Sequence, residues 1–287
     1  MSNASGGVGS IPLQDEIRKQ QSAFSFAAAG VADVREAIKR INLALIFGWQ
    51  DIAQRYRRSK IGVFWLTINM GVMICAIGLL FSMLLRSNVK EFLPSLSTGI
   101  VLYGYISTFL NESCTTFIVY SGIILQVRMP LSTHLLRTGY RNAVVFFHNL
   151  VILPIVLIAV GKGFSWTMLL AIPGFVFVSL NILWMGLILA VLCTRFRDLT
   201  QIVANILQVM FYMTPIMWLP ATLPAHASNM ILYANPFYHM IELVRAPVLG
   251  QLPPLMSWGV VGAMTVVGWG VAILIFGRFR HRVPYWL

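Results

Sequence analysis

The first regular pattern along the chain is a helical stripe. Val31, Val34, Ile38, Ile41, Leu45, Trp49, Ile52 and Tyr56 recur at three- and four-residue steps. Asp33, Arg35, Glu36, Lys39, Arg40, Gln50, Asp51 and Gln54 take the other faces. This spacing predicts an amphipathic helix over residues 31–60, of the kind that lies in a membrane interface. A soluble helix packed on another subunit would carry the same stripe. Beyond it the pattern changes to long runs almost free of charge. A helix needs about 20 apolar residues to cross roughly 30 Å of hydrocarbon. Six runs meet or approach that length: Ile61–Leu85, Leu96–Tyr120, Val144–Val160, Trp166–Cys193, Leu199–Leu219 and Trp258–Gly277. The fold class expected is therefore all-α integral membrane, with six transmembrane helices behind an N-terminal amphipathic interfacial helix.

Two connections carry patterns of their own. Ser121–Pro130 reads as a short amphipathic helix stopped by proline. Between the fifth and sixth runs, residues 220–257 are apolar yet broken by Pro224, Pro236, Pro247, Pro253 and Pro254. Asn235-Pro236 is a helix-start signal, with Asn as N-cap and Pro at the first helical position. Gly250 can end that helix. This loop is expected to form short re-entrant helices on the outer face, too short to be further spans. Residues 1–30, rich in Ser, Gly and Ala, read as a mobile N-terminal tail. The resulting division is 1–30 tail, 31–60 interfacial helix and 61–287 six-span domain. The polar start lacks a basic-then-apolar leader, so a cleaved signal peptide is not expected.

Composition agrees with the pattern. Of 287 residues 58% are hydrophobic and 10% charged, against roughly 25% charged in ordinary soluble domains. The net charge of +12 could point to nucleic acid, so its distribution decides. Seventeen of the 21 Lys and Arg fall on the side holding both termini; only Arg86, Lys90, Lys162 and Arg245 fall on the other. That asymmetry is the positive-inside rule, which places both termini in the cytoplasm and needs no nucleic acid. The three cysteines, Cys75, Cys114 and Cys193, show neither a paired framework nor zinc spacing. There is no phosphate-binding loop, nucleophile elbow, zinc-protease motif or D-x-D pair, so the chain is expected to be no enzyme and to bind no cofactor or metal. Asp198 and Gln201 have the spacing of a capping box. Glu112 stands inside the second run. It either faces a channel or a partner subunit, or serves as a structural hydrogen-bonding group.

The run Arg55-Tyr56-Arg57-Arg58-Ser59-Lys60-Ile61-Gly62-Val63-Phe64-Trp65 resembles the lead-in to the first span of permeases in type-2 ABC exporters for polysaccharides. The likeness continues through Met129-Pro130, Arg195-Phe196-Arg197-Asp198, Thr214-Pro215-Ile216 and Asn235-Pro236, in the family's order around six spans. It covers about residues 30–287, and O-antigen and capsule exporters are the most similar members. The resemblance implies a homodimer in the inner membrane, each subunit docked on a separate cytoplasmic ATPase that holds ATP and magnesium. A lipid-linked polysaccharide would cross through a channel at the dimer interface. Channel candidates are the aromatic residues Phe64, Trp65, Tyr103, Tyr105, Phe109, Phe211, Tyr212 and Trp218, of which only a subset can share one path. Arg55, Arg57, Arg58 and Lys60 are candidates for the lipid phosphate, or else plain topology anchors. Gly122, Val127, Arg128, Met129 and Pro130 are expected to contact the ATPase. A permease for a small lipophilic compound is the alternative, and a membrane-embedded enzyme is a more remote one.

Overall fold

The computed structural model of the chain describes residues 12–57, 62, 64–84, 89–218 and 232–287. Arg58, Lys60 and the 219–231 part of the outer loop, where the first of its short helices was expected, lie outside them. Every regular element among the described residues is helical. In chain order these are α1 (Pro12–Lys39), α2 (Ile41–Tyr56), α3 (Phe64–Leu84), α4 (Val89–Val119), α5 (Ser121–Gln126), α6 (Leu131–Leu150) and α7 (Ile152–Val160). A 3-10 turn (Trp166–Leu170) leads into α8 (Ala171–Arg195), followed by α9 (Leu199–Met213), α10 (Pro236–Val248), α11 (Leu255–Phe279) and α12 (Val283–Trp286).

Among the described residues five helical units are long and apolar enough to cross a membrane. They are Phe64–Phe81 in α3, α4, the α6–α7 pair, the 3-10 turn with α8, and α11. The remaining run is α9, whose 15 residues span about 22 Å at 1.5 Å per residue. Proline ends it early. Pro215 cannot donate to the helical ladder and drives Thr214 out of the α region, to φ −84° and ψ 136°. The expected Leu199–Leu219 helix therefore stops at Met213. Pro154 acts in the same way on the third run: it has no N–H for the Leu150 carbonyl, and the helix is interrupted at Val151. That unit also starts at Leu131 rather than Val144, because His134, Arg137, Arg141 and Asn142 turn toward protein and lower its apolar signal.

The N-terminal reading needs two corrections. Residues 12–30 of the expected tail are helical, as the first part of α1. The single helix expected over 31–60 is two, divided at Arg40, where φ is −102° and ψ 31°. The helix persists before residue 31 because it has a surface to rest on. Gly30 and Gly277 let α1 and α11 touch backbone to backbone: a Cβ on Gly30 would stand 2.6 Å from the Ile273 carbonyl, and one on Gly277 would overlap that of Phe26. The expected capping box is also absent. Asp198 has helical backbone angles and its side chain makes no cap bond.

α4 is the hub, packed against α3, α6, α8 and α9. Gly186 of α8 lies against it so closely that a Cβ would meet Ser113 Oγ at 2.6 Å and the Phe109 ring at 2.7 Å. α8 in turn is tied to α11, where Asn181 Nδ2 donates to Thr265 Oγ1 at 2.7 Å. One end of the bundle gathers α1, α2, α5, the start of α6 and the ends of α8, α11 and α12. There Asp33 accepts from the first amides of α6, Leu131 at 3.3 Å and Ser132 at 3.1 Å. Arg280 at the end of α11 donates to the Ala29 carbonyl at 2.7 Å and pairs with Asp33 at 3.6 Å. We call this the basic end. α10 stands toward the other, with Thr167 Oγ1 donating to its Pro247 carbonyl at 3.3 Å.

Candidate functional site

Asp51, on the polar face of α2, reaches a bundle of cations that the sequence left unpaired. Arg137 of α6 grips it through two bonds, Nε to Oδ2 at 2.8 Å and Nη2 to Oδ1 at 2.5 Å. The Tyr120 hydroxyl donates to it at 2.9 Å. Burial pushes the Asp51 carboxyl up, but the Arg137 and Tyr120 hydrogen bonds and the charges of Arg137 and Arg141 outweigh that, leaving it below the usual carboxylate value. It is ionised at neutral pH. Arg141 bridges onward, with Nη2 on Glu112 Oε2 at 2.7 Å. Asn142 donates to the same oxygen at 2.5 Å. Glu112 is thus paired within its own subunit. The network fastens the α2 helix to α4 and α6, and Gly48 allows the approach, since a Cβ there would lie 2.8 Å from the Tyr140 ring. A cavity of about 330 Å³ opens beside it between α3, α4 and α6, with Arg55, Asn69, Thr108, Glu112, Asn142 and Asn149 among its lining.

A second feature lies between α3 and α9. A groove of about 290 Å³ has α4 as its floor, where Ser107 and Asn111 present polar groups, and α9 as one wall, with Gln208 and Phe211. Along α9, Gln201, Asn205, Gln208 and Tyr212 stand at steps of four, three and four residues, all on the exposed face. An exposed polar stripe on a helix this apolar is costly against lipid, where amides lack water. The spacing alone, visible in the sequence, marks this stripe.

The aromatic candidates separate into groups. Phe64, Trp65 and Tyr212 are exposed, and Phe211 and Trp218 are half-buried. Tyr103 is buried under the groove, its hydroxyl donating to the Leu207 carbonyl and its ring against Phe211 at 5.3 Å and Phe237 at 6.0 Å. Tyr105 and Phe109 face the opposite way. Tyr105 packs among Phe146 and Phe175, and Phe109 is fully enclosed against α6 and α8. Both rings are packed inside the subunit. Of the basic candidates, Arg55 lines the α3–α4–α6 cavity and Arg57 is exposed at the end of α2.

The sequence motifs meet in space. Asn235 Oδ1 accepts from the amides of Phe237 at 2.9 Å and Tyr238 at 3.4 Å, capping α10. Its Nδ2 donates to Thr214 Oγ1 at 2.9 Å, joining the break after α9 to the start of α10. Arg245, counted from sequence on the outer side, is buried: it pairs with Glu242 at 2.6 Å and donates to the Pro215 carbonyl. α5 has no buried residue, and Gly122, Val127 and Arg128 are exposed on it and just beyond, with Met129 and Pro130 half-buried. Among the described residues no three His, Cys, Asp or Glu side chains group as a metal site.

Five helical units long and apolar enough to cross a membrane, packed around α4, make this a multi-pass membrane protein. Residues 43–249 match the ABC-2 type transporter family, and the chain belongs to it. It is similar to the O-antigen export system permease protein RfbA of Myxococcus xanthus, 26% identical over 258 residues, covering 87% of this chain and 96% of that one. It is also similar to an O-antigen export system permease protein RfbA of Klebsiella pneumoniae, 25% identical over 251 residues, with 84% and 93% covered.

Proposed function

We propose that this chain is the permease subunit of an ATP-driven exporter that moves a lipid-linked polysaccharide of the O-antigen or capsule type across the inner membrane. The observation that carries the reading is the polar stripe Gln201, Asn205, Gln208 and Tyr212 on α9, beside the groove floored by Ser107 and Asn111. Such a face needs water, sugar or a second subunit against it. A homodimer closing on α3 and α9 would supply a hydrated path, and the relatives' names give its cargo class. In this reading α9 and the segment after it complete the sixth crossing, both termini are cytoplasmic, and α1 and α2 lie in the cytoplasmic interface. α10 is then a re-entrant helix opened from the far side. Phe64, Trp65, Phe211, Tyr212 and Trp218 are the aromatic residues available to sugar faces. Arg55 and Arg57 stand where the lipid phosphate would arrive. ATP and magnesium belong to a separate ATPase, which α5 and Val127–Pro130 would contact. This chain binds no cofactor of its own.

The test replaces Asn205 and Gln208 together by Leu in cells carrying the cognate ATPase. The changes make α9 more apolar and leave insertion intact. Surface polysaccharide should fall by at least tenfold while the variant still co-purifies with its ATPase. Unchanged surface polysaccharide would remove this face from the path.

A further inference from the structure

At the basic end, the last turn of α8 and the chain from α11 into α12 enclose a pocket of about 250 Å³ lined by Leu192, Arg195, Phe196, Phe279, Arg282 and Trp286. It lies away from the groove and from the Asp51 network. Neither Arg195 nor Arg282 has an ion pair among the described residues. Arg195 sits over the Trp286 ring at 5.6 Å and the Phe196 ring at 5.8 Å. Five arginines, and no acid, occur in residues 191–197 and 278–287: Arg195, Arg197, Arg278, Arg280 and Arg282. Of these, Arg280 is neutralised by Asp33. No acid is among the residues lining the pocket with Arg195 and Arg282.

We infer that this pocket binds the phosphate headgroup of an anionic phospholipid. Two guanidinium groups fit phosphate oxygens through their forked donors. The apolar wall from Leu192, Phe196 and Phe279 suits the glycerol and first acyl carbons, and Trp286 has the amphipathic ring that settles at headgroup depth. Placement supplies the other half of the case. The pocket stands at the ends of two membrane-length helices, α8 and α11, and basic pockets between such helices at the cytoplasmic face hold anionic headgroups. α12, which carries Trp286, also packs on α5, so an occupied pocket would brace the helix proposed to meet the ATPase. The inference rests on membrane insertion with the basic end at an anionic leaflet. It does not depend on which cargo is exported.

Native mass spectrometry of the purified, delipidated full-length chain tests it. Phosphatidylglycerol and phosphatidylcholine are added separately at equal concentration, and retention of the first lipid is compared. Attraction of roughly fivefold per arginine predicts a preference for phosphatidylglycerol well above tenfold. Arg195→Gln with Arg282→Gln should bring the two lipids close to parity, Arg195→Lys with Arg282→Lys should restore most of the preference, and Arg278→Gln should leave it unchanged. If the Gln double variant is not monodisperse, Arg282→Gln alone is read, with a partial loss expected. Equal retention of both lipids by the unaltered chain would overturn the proposal. So would full preference in the Gln variant, or displacement of phosphatidylglycerol by millimolar inorganic phosphate, which would mark a free-anion site. Loss of ATPase co-purification in a variant that retains the lipid preference would assign the pocket to the protein partner instead.

Discussion

α3 and α4 are neighbours in sequence and in space, yet the bundle treats them in opposite ways. Of the apolar stretch of α4, 78% is buried inside the chain; of Phe64–Phe81 in α3, 11% is. The buried helix is the more polar one. α4 carries Glu112, Asn111 and a series of Ser and Thr, while α3 exposes Ile68, Val72, Leu79 and Leu80. In water this order would be reversed, because burial there is driven by apolar area. In hydrocarbon an apolar side chain gains little by leaving lipid for protein, so packing, small residues and polar groups decide which helix goes inside. α4 goes inside because Glu112 and Thr116 find partners on α6 there. Glu112 accepts from Arg141 at 2.7 Å, and the Thr116 and Thr138 hydroxyls meet at 3.2 Å.

If that contrast is right, substitutions on the two helices should differ sharply in cost. The largest effect is expected for Arg141→Met, which leaves Glu112 with Asn142 alone. Stranding a buried charge costs 3–5 kcal/mol, and the Glu112 side chain keeps 25% of its surface open, so about 3 kcal/mol is expected. Detergent melting should drop by several degrees. An unchanged melting temperature would mean that the ion pair does not hold α4 and α6 together.

Gly186→Val comes next. It drives a branched side chain into Ser113 and Phe109, both fully buried, and overpacking of this kind costs about 1–3 kcal/mol. Adding Phe109→Ala on the opposing helix should recover part of the loss if the two meet as described. No recovery would place the damage elsewhere.

The smallest effect is expected for Val72→Ala on the exposed side of α3, where the residue is 63% exposed. Its cost should stay within about 0.5 kcal/mol, below what a melting curve resolves. A loss as large as that at Gly186 would show that Val72 is covered in the assembled protein. The same measurement would then sharpen the contrast, by marking the face of α3 that meets a second subunit.

Local rules written in short stretches survived into the structure. Asn235-Pro236 starts α10 as the cap signal requires, and Gly250 takes a positive φ of 85° after its end, whereas the helix expected to run to Pro130 already ends at Gln126. Where the sequence misled, the cause was non-local. Asp198 has the spacing of a cap and makes none. Residues 12–30 look like a tail because nothing in them reveals the α11 surface on which α1 rests. Helical spacing likewise cannot say which side of α4 meets α6 and α8, where Tyr105 and Phe109 are packed.

By itself, then, the sequence determined that the chain lives in a membrane, roughly where its apolar runs lie, and that Asn235-Pro236 starts a helix that Gly250 follows. Each of these follows from the solvation of single side chains or from the backbone chemistry of one residue. Only the tertiary structure decided that Asp51 belongs to Arg137, that Glu112 belongs to Arg141, and that Arg195 and Arg282 share a pocket without an acid. Each of those is a pairing across more than 25 residues of chain, set by which helices lie side by side. No local period records that choice.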